Sequence, residues 1–206
     1  MYHRALSLVL ATRGEDSVET ATLYHNLGGL EHARGRYALG EPHARRGLAI
    51  REKLLGPDHQ AVAADAAALA AILDGQGKRD EAEVLIRRAL TVFGRVYGSD
   101  HYEVAVNLNN LAALRQAGGD AREAEELYRR ALALKEKLRG ANHPDVAVTA
   151  NNLAVLYKHQ GRYADAERLY RRALTIFECS FGVSHPKAIA CRENLAASVR
   201  ASTQDQ

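Results

Sequence analysis

Histidine recurs along this chain at one fixed spacing, and its imidazole is the commonest metal ligand among protein side chains. Four histidines stand 42 residues apart, at His59, His101, His143 and His185. A zinc ion holds its ligands about 2 Å away, whereas side chains on successive packed helix pairs lie on the order of 10 Å apart. The four histidines therefore cannot share one ion, and we expect them to pack at turns, beside helix N-caps. We predict no metal and no cofactor.

Pairs of arginine recur at the same spacing and could form a basic stripe that binds phosphate. A glutamate precedes the first arginine of each pair by four residues, which is the favourable order for helical ion pairs. The charges then balance on the same helix, and the net charge of the chain is only +3. We therefore expect structural ion pairs and no nucleic-acid partner. The pairs are Arg45-Arg46, Arg87-Arg88, Arg129-Arg130 and Arg171-Arg172, preceded by Glu41, Glu83, Glu125 and Glu167.

Motifs for catalysis are missing from the sequence. It has neither a GxSxG nucleophile motif nor a GxxxxGK[ST] phosphate loop, and Gly28-Gly29 falls within a helical pattern. Its two cysteines, Cys179 and Cys191, form no CxxC motif, and we expect two buried thiols in a reduced compartment. No apolar stretch approaches the ~18 residues of a membrane-spanning helix. We predict a cytoplasmic protein that is not an enzyme and has no membrane partner.

Asparagine is the remaining polar residue type with the same spacing. A side-chain amide carries both a donor and an acceptor, which matches the peptide unit of an extended chain. Each such hydrogen bond contributes about 0.5–1.5 kcal/mol net. Two interpretations are open: these amides bind a peptide, or they bond neighbouring helices and set how the helices stack. The series is Asn26, Asn110, Asn152 and Asn194, with Asn109 and Asn151 one residue earlier.

Glycine sets the period of the whole chain, and a fixed period of this length indicates a repeat protein. The series that recurs every 42 residues is Gly14, Gly56, Gly98, Gly140 and Gly182. Division at these glycines gives four repeats, at 15–56, 57–98, 99–140 and 141–182, with half repeats at 1–14 and 183–206. The half repeats fit either a piece of a longer array or a complete array in which single helices act as caps.

Apolar spacing predicts two helices in each repeat. In the last full repeat, Asn142 is the expected N-cap of the first helix, with Asp145 favourable near its start. Gly161 ends this helix and Gly182 ends the second one. The short break between them makes the two helices antiparallel neighbours, so we expect about nine or ten helices in all. Asp16 with Glu19 and Asp100 with Glu103 repeat the cap pattern.

The first full repeat departs from this pattern. Gly40, Pro42, His43 and Gly47 all fall in its second helix. Proline is tolerated in a helix only near its first turn, because it lacks an N–H and its ring clashes with the preceding turn. We expect a locally looser hairpin here.

One set of residues in the last full repeat stands at the signature spacings of a known family. The set is Asn152-Leu153-Ala154, Tyr157, Gly161, Tyr163, Ala166, Tyr170 and Ala173. The repeat resembles the tetratricopeptide repeat, with a period of 42 residues in place of about 34. The repeat is also similar to the longer repeats of kinesin light chain and its bacterial relatives. The residues that carry this second likeness are Asn142-His143-Pro144-Asp145-Val146-Ala147. The resemblance implies an all-α, right-handed superhelical solenoid of antiparallel helix hairpins, in which the first helices line a concave face.

The same resemblance implies a protein–protein interaction scaffold that binds a peptide or an extended partner segment in the concave groove. The asparagine series would contact the peptide backbone. Other groove positions would set selectivity and favour an acidic or polar ligand; they hold His25, His32, Gln116, Lys158 and His159. Some family members clamp a terminal carboxylate with lysines, but the matching places here hold His25, Val106 and Val148, so a clamp of that kind is not expected. In the second repeat, Ala67 and Ala68 replace the asparagine pair and weaken the case for a contact there.

An alternative function is structural assembly or self-association, as part of a larger multidomain protein or as a homo-oligomer. It rests on the half repeats, which leave apolar helix faces without a following hairpin.

Overall fold

The computed structural model describes residues 2–204, and every helix or strand within that range is an α-helix. The ten helices of the described residues confirm the all-α class and the expected helix number. They are α1 Tyr2–Arg13, α2 Val18–Ala33, α3 Tyr37–Leu55, α4 Gln60–Gly75, α5 Arg79–Tyr97, α6 Tyr102–Ala117, α7 Ala121–Arg139, α8 Pro144–His159, α9 Tyr163–Phe181 and α10 Pro186–Gln204.

The chain forms two compact units. The N-terminal unit ends at Ser99 and the C-terminal unit begins at Asp100. In the N-terminal unit, α2 packs against α3 and α4 against α5, as hairpins, and α1 packs against α2. In the C-terminal unit, α6 pairs with α7 and α8 with α9, while α10 packs against α9. Within each unit, a hairpin leaves an apolar face that the next helix covers, as in other helical repeats.

The turn between α8 and α9 shows why glycine recurs. Gly161 has a φ of 73°, in the left-handed region that side chains avoid. With this turn, Gly161 N–H donates to Lys158 C=O (3.1 Å) and Arg162 N–H donates to Tyr157 C=O (2.9 Å). These bonds satisfy the last carbonyls of α8, so glycine ends the helix as predicted. Gly182, with a φ of 87°, ends α9.

Histidine, and not the preceding asparagine, caps α8. His143 is the N-cap, and its Nδ1 accepts the Asp145 N–H at 3.2 Å. The prediction of Asn142 was therefore wrong by one residue, because Pro144 fits the first helical position and moves the cap to the residue before it. Two more predicted caps were also wrong by one residue: α2 is capped by Ser17 and not by Asp16, and α6 is capped by His101 and not by Asp100. The histidine series does lie at the turns, where it caps the helices directly; His59 and His185 accept the equivalent N–H groups.

The hairpin of α2 and α3 is close-packed, so the expectation of a looser hairpin was wrong. A Cβ added at Gly47 would lie 3.0 Å from the Ala21 carbonyl oxygen, and one added at Gly28 would lie 3.1 Å from the Ala44 Cβ. Helix α3 continues through Pro42 without a break. Gly40 and Gly47, which suggested a looser hairpin in the sequence, are positions where the two backbones approach each other.

The core of the C-terminal unit is built from large side chains separated by alanine. Tyr128, Tyr170 and Phe177 are buried between helices, and Ala154 and Ala166 are fully buried where α8 meets α9. Alanine at these two positions permits the close approach that the sequence indicated. Deleting one of the large side chains would cost about 3–5 kcal/mol.

Candidate binding face of the C-terminal unit

Three asparagine side chains of the predicted series meet between α6 and α8. Asn109 Nδ2 donates to Asn110 Oδ1 at 3.4 Å, and Asn152 Nδ2 donates to Asn109 Oδ1 at 3.3 Å. Both distances exceed the usual range for such bonds. Asn109 is buried and uses its amide between the helices, which favours the stacking role for this residue. Asn110 and Asn152 are only half-buried, and the Asn152 Oδ1 accepts no hydrogen bond from the described part of the chain.

Asn151 carries the clearest unused hydrogen-bonding group on this face. Its Oδ1 is buried and has no partner among residues 2–204. An unpaired buried acceptor costs about 1–3 kcal/mol, so a water molecule or a ligand donor at this atom would be stabilising.

A cavity of about 160 Å³ opens beside Asn151. Three helices contribute to its wall: Val148, Asn151 and Asn152 from α8, Phe177 from α9, and Lys187, Ala190 and Cys191 from α10. Most of these side chains are apolar, and the polar groups among them come from the two first helices of neighbouring hairpins. This cavity, with the amides of Asn110, Asn151, Asn152 and Asn194, is called the amide face below.

Cys191 forms a neutral part of the cavity wall. Its side chain is buried, and its thiol donates to the Tyr170 carbonyl oxygen at 3.5 Å. Burial raises the pKa of the Cys191 thiol to about 11, with a smaller contribution from Glu178, so the group stays protonated at neutral pH. Cys179 is exposed, and the prediction of two buried thiols was wrong for this residue. It lies two residues after Phe177 and therefore on the opposite side of α9.

Positive charge lies on α8 and α10, two of the helices that contribute to the amide face. Lys187 lines the cavity, and its ammonium lies 5.9 Å from the centroid of the Phe181 ring. Lys187 has no ion-pair partner within the described ranges, and neither has Lys158 on α8 or Arg200 on α10. On the same two helices, Glu193 is the acidic residue without a partner in the described structure. Cations therefore outnumber anions on this pair of helices.

Two other predicted groove residues have mixed outcomes. Gln116 is half-buried, and its Oε1 accepts the Tyr128 hydroxyl proton at 3.2 Å, so this amide already bonds within its own hairpin. Asn194 is half-buried on α10, and its side-chain amide makes no hydrogen bond to any group that the structure describes.

In the N-terminal unit, His25 contacts a buried carboxylate. Its Nδ1 lies 2.7 Å from Asp65 Oδ1, and Arg51 Nε lies 2.8 Å from Asp65 Oδ2. His25 thus contacts α4, whereas Asn26 is half-buried and its side-chain amide makes no hydrogen bond among the residues described. Sequence reasoning missed Asp65, although it is the only charged residue in the alanine-rich stretch 61–71.

The arginine pairs are ion-paired as predicted. Each first arginine contacts the glutamate four residues earlier, at N···O distances of 2.6–2.9 Å. Some second arginines reach back to the preceding helix or turn; Arg172, for example, contacts Glu136 at 2.5 Å. In these contacts the arginine charges are paired with groups of the same chain.

Comparison with known protein families agrees with this architecture. The model of the tetratricopeptide repeat matches four overlapping segments, at 19–93, 63–137, 103–178 and 145–206. The chain belongs to the tetratricopeptide repeat family. Repeats of this family generally mediate protein–protein interactions and form a non-catalytic fold.

Solved structures of two repeat proteins share this fold. BtubC (BKLC) from P. vanneervenii is 24% identical and has a TM-score of 0.81, with 98% of this chain and 82% of that chain covered. A kinesin-light-chain candidate of Podosopora anserina with nearly identical TPR-like repeats is 24% identical, with a TM-score of 0.71 over 88% of this chain and 86% of that chain. At this identity the likeness concerns the fold alone. No curated protein matches the chain.

Two further properties bear on the site. None of the described helices is long and apolar enough to cross a membrane. Among the side chains that the structure describes, at residues 4–203, no three histidine, cysteine or acidic groups come together in a way that could hold a metal ion.

Proposed function

We propose that this tetratricopeptide repeat protein is an interaction scaffold that binds an extended peptide segment of a partner protein along the amide face. The observation that carries the proposal is the buried Oδ1 of Asn151, which has no partner in the described structure and belongs to a residue that lines an open cavity. A peptide N–H is the donor that would satisfy it. Asn152, with a free Oδ1, provides a second acceptor on the same helix.

Some of the other predicted contact residues belong to the proposed binding site, and others do not. Asn110, Asn194 and Lys158 remain proposed contacts of the C-terminal unit, whereas Asn109 and Gln116 serve mainly to hold its helices together. Asn26 and His25 remain proposed contacts of the N-terminal unit, with His25 oriented by Asp65. We also propose the repeat boundaries 15–56, 57–98, 99–140 and 141–182, with half repeats at 1–14 and 183–206, as the modular division of this scaffold.

The test uses peptides selected from a randomised phage-displayed library on the wild-type chain. Their affinity is then measured by fluorescence anisotropy for the Asn151→Ala, Asn152→Ala double variant. Loss of two amide contacts should weaken binding by roughly 5- to 150-fold. Asn142→Ala is the matched control, because Asn142 is exposed and does not cap α8.

Thermal unfolding separates the two interpretations of the asparagines. If the double variant binds as the wild type does, or loses binding only in proportion to a large loss of melting temperature, the proposal is wrong and the amides are structural.

A second candidate function is self-association through the end helices, and it is favoured by their exposed apolar side chains. Leu8 of α1 is 65% exposed, and Ile189 and Val199 of α10 are also exposed. Sedimentation at high micromolar concentration tests this candidate. A concentration-dependent dimer that Ile189→Ser, Val199→Ser abolishes would support it, and a monomer throughout would count against it.

A further inference from the structure

The first turn of α10 is capped by a histidine side chain. Pro186, the first residue of α10, has no N–H, so the Lys187 N–H is the first donor of the helix. It donates to the Nδ1 of His185 at 3.2 Å. An imidazole can accept at Nδ1 only while that nitrogen carries no proton, because both ring nitrogens of an imidazolium are donors. The cap therefore exists only with neutral His185.

The residue two positions after each histidine cap changes its charge along the chain. After His143 it is Asp145, whose Oδ2 lies 3.4 Å from His143 Nδ1. After His185 it is Lys187. A proton on His143 would thus meet a carboxylate, whereas a proton on His185 would meet a cationic residue and the positive end of a helix. The series is Ala61, Glu103, Asp145 and Lys187.

The acidic groups of the two helices that pack against α10 are paired elsewhere. On α9, Glu178 carries the carboxylate that contacts α10, and its partner there is Arg192, at 2.5 Å. On α8, Asp145 accepts the Tyr102 hydroxyl proton at 2.7 Å. No acidic side chain among the described residues lies within ion-pair distance of His185. A protonated His185 would have no carboxylate beside it.

The aromatic neighbour of His185 is already shared with a cation. The Phe181 ring is stacked on the imidazole, with 4.6 Å between the ring centroids. Such a ring attracts an imidazolium, but the Lys187 ammonium lies 5.9 Å from the centroid of the same ring. Two positive charges would then lie against one ring. The stacking also cannot replace the acceptor that the Lys187 N–H loses.

We propose that His185 is an acid-sensitive switch: when its imidazole gains a proton, the first turn of α10 unwinds from α9 while α8 stays folded. Histidine is the side chain that ordinarily changes charge between about pH 5 and 8. Because the neutral form is the one that caps, the stabilisation is present above this range and is lost as the pH falls through it. This inference concerns α10 itself and does not require a peptide on the amide face.

Packing explains why α10 should respond and α8 should not. Helix α8 contacts α6, α7, α9 and α10, whereas α10 contacts only α9 and α8 among the described helices. Ala188 and Cys191 of α10 are buried, but Ile189 is 41% exposed and Val199 is also exposed. An element with few buried contacts opens locally at a low free-energy cost, so the loss of one cap has a larger effect on α10.

Unwinding would also change the cavity of the amide face. Lys187, Ala190 and Cys191 are the part of its wall that α10 supplies, and two of these residues lie within the first five of the helix. Acid would therefore open this side of the cavity.

Hydrogen exchange followed by mass spectrometry tests the proposal on the full chain. Protection of the segments 186–192 and 144–150 is compared at pH 7.5 and pH 5.5, after correction for the intrinsic exchange rate at each pH. We expect the protection of 186–192 to fall about fivefold, the change that corresponds to the loss of one helix N-cap. The protection of 144–150 should fall clearly less.

Two variants address the cap and its neighbouring charge. His185→Asn keeps a strong N-cap that does not titrate, so it should retain the protection at pH 7.5 and lose the acid response. Lys187→Asp gives α10 the carboxylate that α8 has, and it should reduce the acid response to that of 144–150. Ser184→Ala is the matched control, because Ser184 is exposed and precedes the cap by one residue; it should respond to acid as the wild type does.

Two results would overturn the proposal. One is an equal loss of protection in 186–192 and 144–150 of the wild type. The other is a wild-type acid response in His185→Asn, which would assign the effect to another group. Neither result depends on a peptide, so the proposed binding function stands or falls by its own experiment.

Discussion

Arg51 Nε lies 2.8 Å from Asp65 Oδ2, and this buried ion pair joins α3 to α4. Two 42-residue periods later, Lys135 Nζ donates to Thr149 Oγ1 at 2.9 Å and joins α7 to α8 in the same way. At the intervening and following positions the basic residue is replaced by Phe93 and Phe177. The repeats thus alternate between a buried cation and a phenyl ring at one position of the second helix.

Asp65→Ala should destabilise the N-terminal unit strongly. It removes the partner of Arg51, whose side chain is only 13% exposed, and breaking one side of a buried pair costs about 3–5 kcal/mol. Urea unfolding followed by circular dichroism gives the loss of free energy. The double variant Arg51→Met, Asp65→Ala should recover much of it, because no charge is then left buried. A double variant as unstable as the single one would show that the pair is not the cause.

Lys135 should make the stability of the C-terminal unit depend on pH in the alkaline range. Desolvation lowers the pKa of Lys135 below its usual 10.5, and Asp145 only partly offsets this. Between the folded and unfolded pKa values the unfolded chain binds more protons, so stability should rise as pH increases toward about 10.5. Above about pH 9 the Cys191 thiol acts in the opposite direction, because burial raises its pKa from 9.0 to about 11. Above about pH 10, Tyr102 and Tyr170 do the same, because burial raises both pKa values to about 12.

The variant Lys135→Met tests this slope. Compared with the wild type, it should lack the part of the unfolding free energy that rises with pH toward about 10.5, and its stability at neutral pH should be unchanged or higher, since a desolvated charge is gone. Urea titrations at several alkaline pH values measure the slope. The same rise in the variant would mean that another group causes it.

The histidine caps make a third prediction. His143→Ala should cost about 1 kcal/mol of unfolding free energy, because the Asp145 N–H loses its acceptor. Asn142→Ala, one residue earlier, should have little effect. Chemical denaturation of both variants decides between the two cap assignments, and a larger effect at Asn142 would restore the assignment made from the sequence.

The glycines of the first hairpin make a fourth prediction. Gly47→Val should destabilise the N-terminal unit by about 1–3 kcal/mol, because its side chain would overlap the Ala21 carbonyl group. Gly29→Ala, on an exposed part of α2 with nothing within 4 Å of the added Cβ, should stabilise it by about 0.5–1 kcal/mol. Differential scanning calorimetry measures both shifts, and equal effects would argue that the hairpin is not tightly packed at Gly47.

The sequence by itself determined the helices and their local pairs. Apolar spacing and glycines such as Gly161 act within one or two turns, so they predict where helices run and end. The ion pair of Glu41 with Arg45 is also local, since four residues bring two side chains onto one helix face. The repeat signature added the family in the same way, from spacing alone.

Contacts between helices were decided only by the tertiary structure. Nothing in the spacing shows that Gly47 marks a close approach, that Asp65 lies between His25 and Arg51, or that the Asn151 oxygen is left without a partner. These outcomes depend on which side chains of two helices meet when they pack, and that is set by the fit of whole surfaces. A repeat period places equivalent residues at equivalent positions, but it cannot say what each one touches.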